Sequence, residues 1–159
     1  MARRFRPLHG LLLVPLFMAA VLVADYTLSG GLGRDFERVT PEAGQEEIRI
    51  DVSALGPAQV RFFRYLNRGN QEVKFLIGRD PMGRLQVAFD AAESDYKRKR
   101  GFRHEGEWLV NNKCDTAVRL AEVHEGAGGC RPVPLRYRTE GGVVVLHDRD
   151  ILTGWRYFR

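Results

Sequence analysis

Cysteine is scarce in this chain: Cys114 and Cys130 are the only two in 159 residues. That count excludes a four-thiolate zinc or iron-sulfur centre within one molecule. The nucleophile-elbow pattern GxSxG, the zinc motif HExxH and a phosphate-cradling glycine loop are also absent, so nothing supports hydrolysis or nucleotide chemistry, and a non-enzyme is expected. There is no long-period repeat and no low-complexity tract. Charge is missing altogether between residues 10 and 24 (GLLLVPLFMAAVLVA), and no acid precedes Asp25.

Hydrophobic residues make up 44% of the chain and charged residues 28%, the balance of a globular protein and not a disordered one. Beyond the apolar segment about 130 residues remain, enough for one domain with one core. The formal charge is +5, of which Arg3, Arg4 and Arg6 supply three, leaving the rest of the chain at +2. A mildly basic domain of this kind carries no nucleic-acid footprint.

Three arginines followed by an uncharged apolar run form the layout of an export signal or an uncleaved signal anchor. The uninterrupted run is shorter than the ~20 residues a helix needs to cross the hydrocarbon core. Extended over residues 8–28 it reaches that length, with His9 and Asp25 near the ends, where polar side chains snorkel to the interface. Cleavage after Ala24 or Ala20 would place Leu22 or Met18 where a small residue is wanted, and Thr27-Leu28-Ser29 is an alternative. Either way the arginine flank predicts an inside N-terminus and a domain on the periplasmic side of the cytoplasmic (inner) membrane. The expected organisation is residues 1–28 as signal anchor or signal peptide, 29–47 as linker and 48–159 as the extracytoplasmic domain. The linker reading rests on SGGLG, Thr40-Pro41-Glu42 and few bulky apolar residues.

From Ile48 the hydrophobic period becomes two, with Ile48, Ile50 and Val52 alternating against Arg49 and Asp51. Residues 60–66 (VRFFRYL), 73–77 (VKFLI) and 85–89 (LQVAF) follow as strands. The separator Asp80-Pro81-Met82-Gly83 suits a type I turn, because proline fixes φ and aspartate bonds the backbone ahead. Short turns imply antiparallel neighbours, hence a β-meander. A further strand is predicted over 102–110, either a strand or a helical turn over 117–123, a hairpin joining 135–137 to 143–146 through Thr139-Glu140-Gly141-Gly142, and a short closing helix over 148–158 with Asp148 as a candidate cap. The fold class is α+β, β-rich, with short helices.

Candidate chemistry concentrates in residues 88–134, which hold both cysteines, His104 and His124, and the basic run Tyr96-Lys97-Arg98-Lys99-Arg100-Gly101-Phe102-Arg103-His104. Outside the cytoplasm thiols oxidise readily, and Cys114 with Cys130 is the single intramolecular pairing available. Competing readings are free thiols, or a mixed metal site in which Asp95, Cys114, Cys130 and one of His104 or His124 hold zinc or copper. The basic run is a solvated connection or a contact for anionic lipid or an acidic partner. Gly126, Gly128 and Gly129 suit a tight turn before Cys130 better than a nucleotide site.

Three phrases carry a family resemblance: Phe89-Asp90-Ala91-Ala92-Glu93-Ser94-Asp95-Tyr96, Val110-Asn111-Asn112-Lys113-Cys114, and Gly128-Gly129-Cys130-Arg131-Pro132-Val133-Pro134-Leu135. Together they resemble the FDACxxCY, CNxC and GGCxPxPL phrases of the FtrD-like membrane iron-sulfur protein family, across roughly residues 60–158. On that resemblance the first paired-cysteine motif falls on Ala92 and Asp95 and the second on Asn111 and Cys114, so most of the ligands are replaced. The resemblance implies membrane systems for iron uptake or electron delivery, or genes beside permeases. The expected function is a membrane-anchored accessory subunit with a degenerate metal site and no cofactor, binding a membrane-protein complex or permease. The alternative is a metal-binding or electron-transfer protein using Cys114 and Cys130 with non-cysteine ligands around zinc, copper or iron.

Overall fold

A computed structural model describes residues 15, 17–23, 35–41, 44–94, 97, 99–126 and 128–159. The chain divides into two compact units, Met1–Arg34 and Asp35–Arg159. In the first, residues 17–23 are helical and expose Phe17, Met18, Val21, Leu22 and Val23. Among the described residues no helix is long and apolar enough to cross a membrane. Most of the 1–28 segment lies outside the described residues.

Among the described residues the second unit holds eleven strands and short helical turns. A five-stranded sheet runs in the order β1 (Phe36–Val39), β3 (Gln59–Leu66), β4 (Glu72–Arg79), β5 (Leu85–Ala92), β9 (Pro132–Pro134). β1 lies parallel to β3, and every other pairing in the sheet is antiparallel. Because side chains alternate along a strand, the sheet presents two different faces, and each is covered.

On one face Phe63, Tyr65, Val73, Phe75, Ile77, Val87 and Phe89 are buried. They pack under a three-stranded sheet of β10 (Arg138–Glu140), β11 (Val143–His147) and β2 (Glu47–Asp51). Ile48 and Ile50 of β2 lie opposite Leu146 and Val144 of β11, so the two inward rows coincide. Phe63 and Phe75 are cross-strand partners with stacked rings 5.2 Å apart, a pair that adds roughly 1 kcal/mol beyond its buried area. The chain closes this layer with the helix Asp148–Leu152 and a 3-10 turn Thr153–Tyr157, which bury Ile151 and Tyr157.

On the opposite face Leu76, Ala88 and Ala92 meet Phe102, Leu109, Leu120 and Val123. These come from a second three-stranded sheet, β6 (Phe102–Glu105), β7 (Trp108–Asn111) and β8 (Ala117–Arg119), followed by the 3-10 turn Leu120–Glu122. The domain is therefore three layers deep, with the five-stranded sheet in the middle.

The strands read at 60–66, 73–77 and 85–89 form the expected meander, and the turn between β4 and β5 is as its residues require. Gly83 N–H donates to the Asp80 carbonyl at 2.9 Å, and the Asp80 side chain accepts from Met82 N–H at 2.9 Å. Four details differ from expectation. β2 leaves the meander for the outer layer, because its two inward isoleucines complete the β11 face. Residues 102–110 are two strands, not one, folding back at Gly106-Glu107 so that His104 opposes Leu109. The C-terminal hairpin pairs Arg138–Glu140, not 135–137, with β11, and Leu135 is instead buried against the first core. Asp148 follows the cap position, held by His147, and its carboxylate accepts a hydrogen bond from the Tyr65 hydroxyl.

The compact unit also starts at Asp35, within the stretch read as linker. Phe36 meets Phe62 edge-on at 5.8 Å, and Arg61 donates to both Glu37 carboxylate oxygens at 2.6 and 2.5 Å.

Candidate functional site

At one end of β5 the three phrases singled out in the sequence come together. β5 delivers Asp90, Ala92 and, just past its end, Ser94; β7 delivers Asn111; and the turn before β9 delivers Cys130. Cys114 and Cys130 are joined by a disulfide with their Cα atoms 6.4 Å apart, and both residues are half-buried.

Asn111 is the hub of the arrangement. Its side chain has no exposed surface. The side-chain oxygen accepts from Lys113 N–H at 2.8 Å and Cys114 N–H at 3.1 Å, an Asx-type turn that presents Cys114. The side-chain nitrogen donates to the Cys130 carbonyl at 3.3 Å, while Asn111 N–H donates to Thr116 O and Asp115 N–H to Asn111 O. One amide thus fixes both cysteine-bearing segments.

Ser94 ties the β5 end to the same point. Its N–H donates to Gly129 O at 3.2 Å and its hydroxyl lies 3.3 Å from Cys130 Sγ. A disulfide sulfur carries no proton, so the hydroxyl is the donor. Lys113 Nζ donates to Ser94 O at 2.8 Å. Gly126, Gly128 and Gly129 all take positive φ, as the turn before Cys130 demands.

The basic run is pinned to this cluster from the other side. Asn112 N–H donates to Gly101 O and its side chain to Arg100 O, both at 3.0 Å. Phe102 N–H donates to the buried Asp90 carboxylate at 2.7 Å. Gly101 has φ +60, and a Cβ there would come within 2.3 Å of Asp90 Oδ1, so glycine is required on both counts. Lys97, Lys99 and Arg100 are exposed. Arg103 donates to Glu105 at 2.6 Å and to Asp115 at 3.1 Å, and hydrogen bonding to Glu105, then Asp115, raises its pKa further.

Of the proposed metal ligands, Cys114 and Cys130 are brought together as a disulfide, and Asp95 lies outside the described residues. His104 bonds to Gly106 O at 2.6 Å and borders a cavity with Leu55 and Arg61. His124 sits 5.9 Å from the Tyr137 ring beside a different cavity. Among the described residues no three His, Cys, Asp or Glu groups gather as a metal would require. Asp90, Ser94 and Asn112 were missed as site residues. An acid inside the largely apolar β5 run was the signal that could have found Asp90.

This is a β-layered domain in which the loop after β7 and the turn before β9 are joined by one disulfide and one buried asparagine. The chain belongs to the family described as membrane iron-sulfur containing protein FtrD-like, whose model matches residues 55–158. No curated protein and no solved structure matches it. The residues described do not fit an iron-sulfur cluster. Ala92 offers no donor atom, both Asn111 polar atoms are used by the backbone, and neither sulfur is a thiolate while the disulfide stands.

Proposed function

We propose that this protein is a membrane-anchored accessory subunit of a membrane-protein complex or permease, with the domain from Asp35 onward on the periplasmic side of the cytoplasmic membrane. In this reading it is not an enzyme, its metal site is degenerate, and its role is to bind the complex. The N-terminal segment acts as a single-pass anchor, supported by its arginine flank and uncharged apolar run. A disulfide is the chemistry expected of a domain in an oxidising compartment.

The observation that carries the reading is the use made of the family's ligand positions: Asn111 is consumed by holding Lys113, Cys114 and Cys130, and the two sulfurs are spent on each other. Family membership points to a membrane setting. The test is purification of the full chain from its native membrane in mild detergent. Expected are a stoichiometric integral-membrane partner, no stoichiometric metal, and two thiols that titrate only after reduction. Stoichiometric iron with acid-labile sulfide, or a chain that leaves the membrane alone in salt washes, would reject it.

A further inference from the structure

The surroundings of the two sulfurs are not alike. Cys130 Sγ receives the Ser94 hydroxyl, and its carbonyl is held by Asn111. Among the described residues no side-chain hydrogen bond reaches Cys114 Sγ, and Cys114 is followed by the exposed residues Asp115 and Thr116. Developing negative charge on Cys130 therefore meets a hydroxyl donor already in place. The rim is cationic. Lys113 precedes Cys114, and Lys97, Lys99 and Arg100 run into the segment that Asn112 pins beside it. Among the described residues the acids facing the site are Asp115, paired with Arg103, Glu93, whose carboxylate lies near Gly128, and the buried Asp90, which accepts from Phe102 N–H.

We propose that Cys114–Cys130 is an exchange disulfide, reduced by an anionic dithiol carrier that attacks Cys114 and expels Cys130. The carrier's thiolate forms a bond to Cys114 Sγ as the Cys114–Cys130 bond breaks, and Cys130 leaves as a thiolate beside the Ser94 hydroxyl. The carrier's second thiol then displaces Cys114 from the mixed disulfide. Two electrons pass to the chain, which gains two thiols, and the carrier becomes a disulfide. The rim raises the local concentration of a negatively charged attacker and stabilises both thiolates. This goes beyond partner binding and does not depend on it, since no membrane partner enters the test.

The experiment uses the full chain in detergent with glutathione, an anionic monothiol, at early times, with acid quench before a second glutathione resolves the mixed disulfide, followed by alkylation and peptide mapping. Glutathione is expected on Cys114 and the alkyl label on Cys130, in a ratio of at least about five to one. At equal thiolate concentration glutathione should outpace the cationic thiol cysteamine. That advantage should shrink as ionic strength rises from about 0.01 to 1 M, where the screening length falls from ~30 to ~3 Å. Ser94→Ala should slow release about threefold, through the poorer leaving thiolate, and Ser94→Thr should restore it. Ser94 is exposed, so neither variant threatens folding. Glutathione on Cys130 or on both sulfurs equally, no reduction without denaturant, equal rates for the two thiols, or an unchanged rate in Ser94→Ala would each overturn the proposal.

Discussion

Asn111 occupies a position where the family resemblance places a cysteine, and there it has become a structural residue with no exposed surface. Truncating it leaves the Lys113 and Cys114 N–H groups and the Cys130 carbonyl without these partners inside a tight cluster. Unsatisfied buried groups cost about 1–3 kcal/mol each, relieved in part by water, so Asn111→Ala should lower stability by about 3 kcal/mol, read from urea unfolding of the oxidised protein. Asp80 is the second buried polar residue with a measurable signature. Burial alone would raise its carboxyl pKa, but hydrogen bonds from the Arg84 backbone and guanidinium and from Met82 N–H outweigh it and hold it below the ordinary 3.8. A carboxyl whose folded pKa is depressed contributes stability that is present above its unfolded value and lost as pH falls through the folded one. The melting temperature should therefore decline below about pH 4. Asp80→Asn should flatten that acid limb while lowering the plateau near neutral pH. An acid limb of unchanged steepness in the variant would assign the loss to other carboxylates.

Among the elements, those with strong local signals were legible in the sequence. The alternation at Ile48 and Ile50, the apolar runs of β3 to β5 and the Asp80-Pro81-Met82-Gly83 turn each specify themselves through neighbours within a few residues. What was not legible depends on distant partners. β1 has only Phe36 and Val39 to announce it, and it exists because β3 offers an open edge and Arg61 offers a mate for Glu37. The break at Gly106 is invisible while residues 102–110 are read as one strand, and Asn111 looks like any loop asparagine until Cys130 arrives beside it. The cysteine pairing was one of several open readings, since two cysteines 16 apart bond only if the fold aligns them. Closing a loop of that size should stabilise the domain by about 3 kcal/mol, so Cys114→Ala with Cys130→Ala should unfold at correspondingly lower urea. The closing helix makes the sharpest demand at this scale. A Cβ on Gly154 would lie 2.2 Å from the Phe89 ring, and that ring is buried between β5 and Tyr157. Gly154→Ala should therefore cost more than about 2 kcal/mol through overpacking, whereas Thr153→Ala beside it, exposed, should cost less than about 1. Equal losses in circular-dichroism melts would show that the helix is not clamped at that glycine.

At the scale of the whole domain, the middle sheet has one edge that matters for where the folded unit begins. β3 would be an open, eight-residue strand rich in aromatic and basic side chains if β1 were absent. β1 covers that edge in parallel, with Phe36 against Phe62 and the two-pronged Arg61 to Glu37 pair, and Lys74 lies over the Phe36 ring at 5.4 Å. The pair is part-exposed and contributes under about 1 kcal/mol, and the aromatic contact about as much again. The main effect is on the edge, since unpaired strand edges template pairing with a second chain. A chain starting at Asp35 should unfold as a single cooperative unit and sediment as a monomer. A chain starting at Gln45, which keeps all of β2 but removes β1, should lose roughly 2 kcal/mol and associate as its concentration rises. If the shorter chain matches the longer one in both urea midpoint and sedimentation, β1 is an adhering piece of linker, and the domain begins at β2 after all.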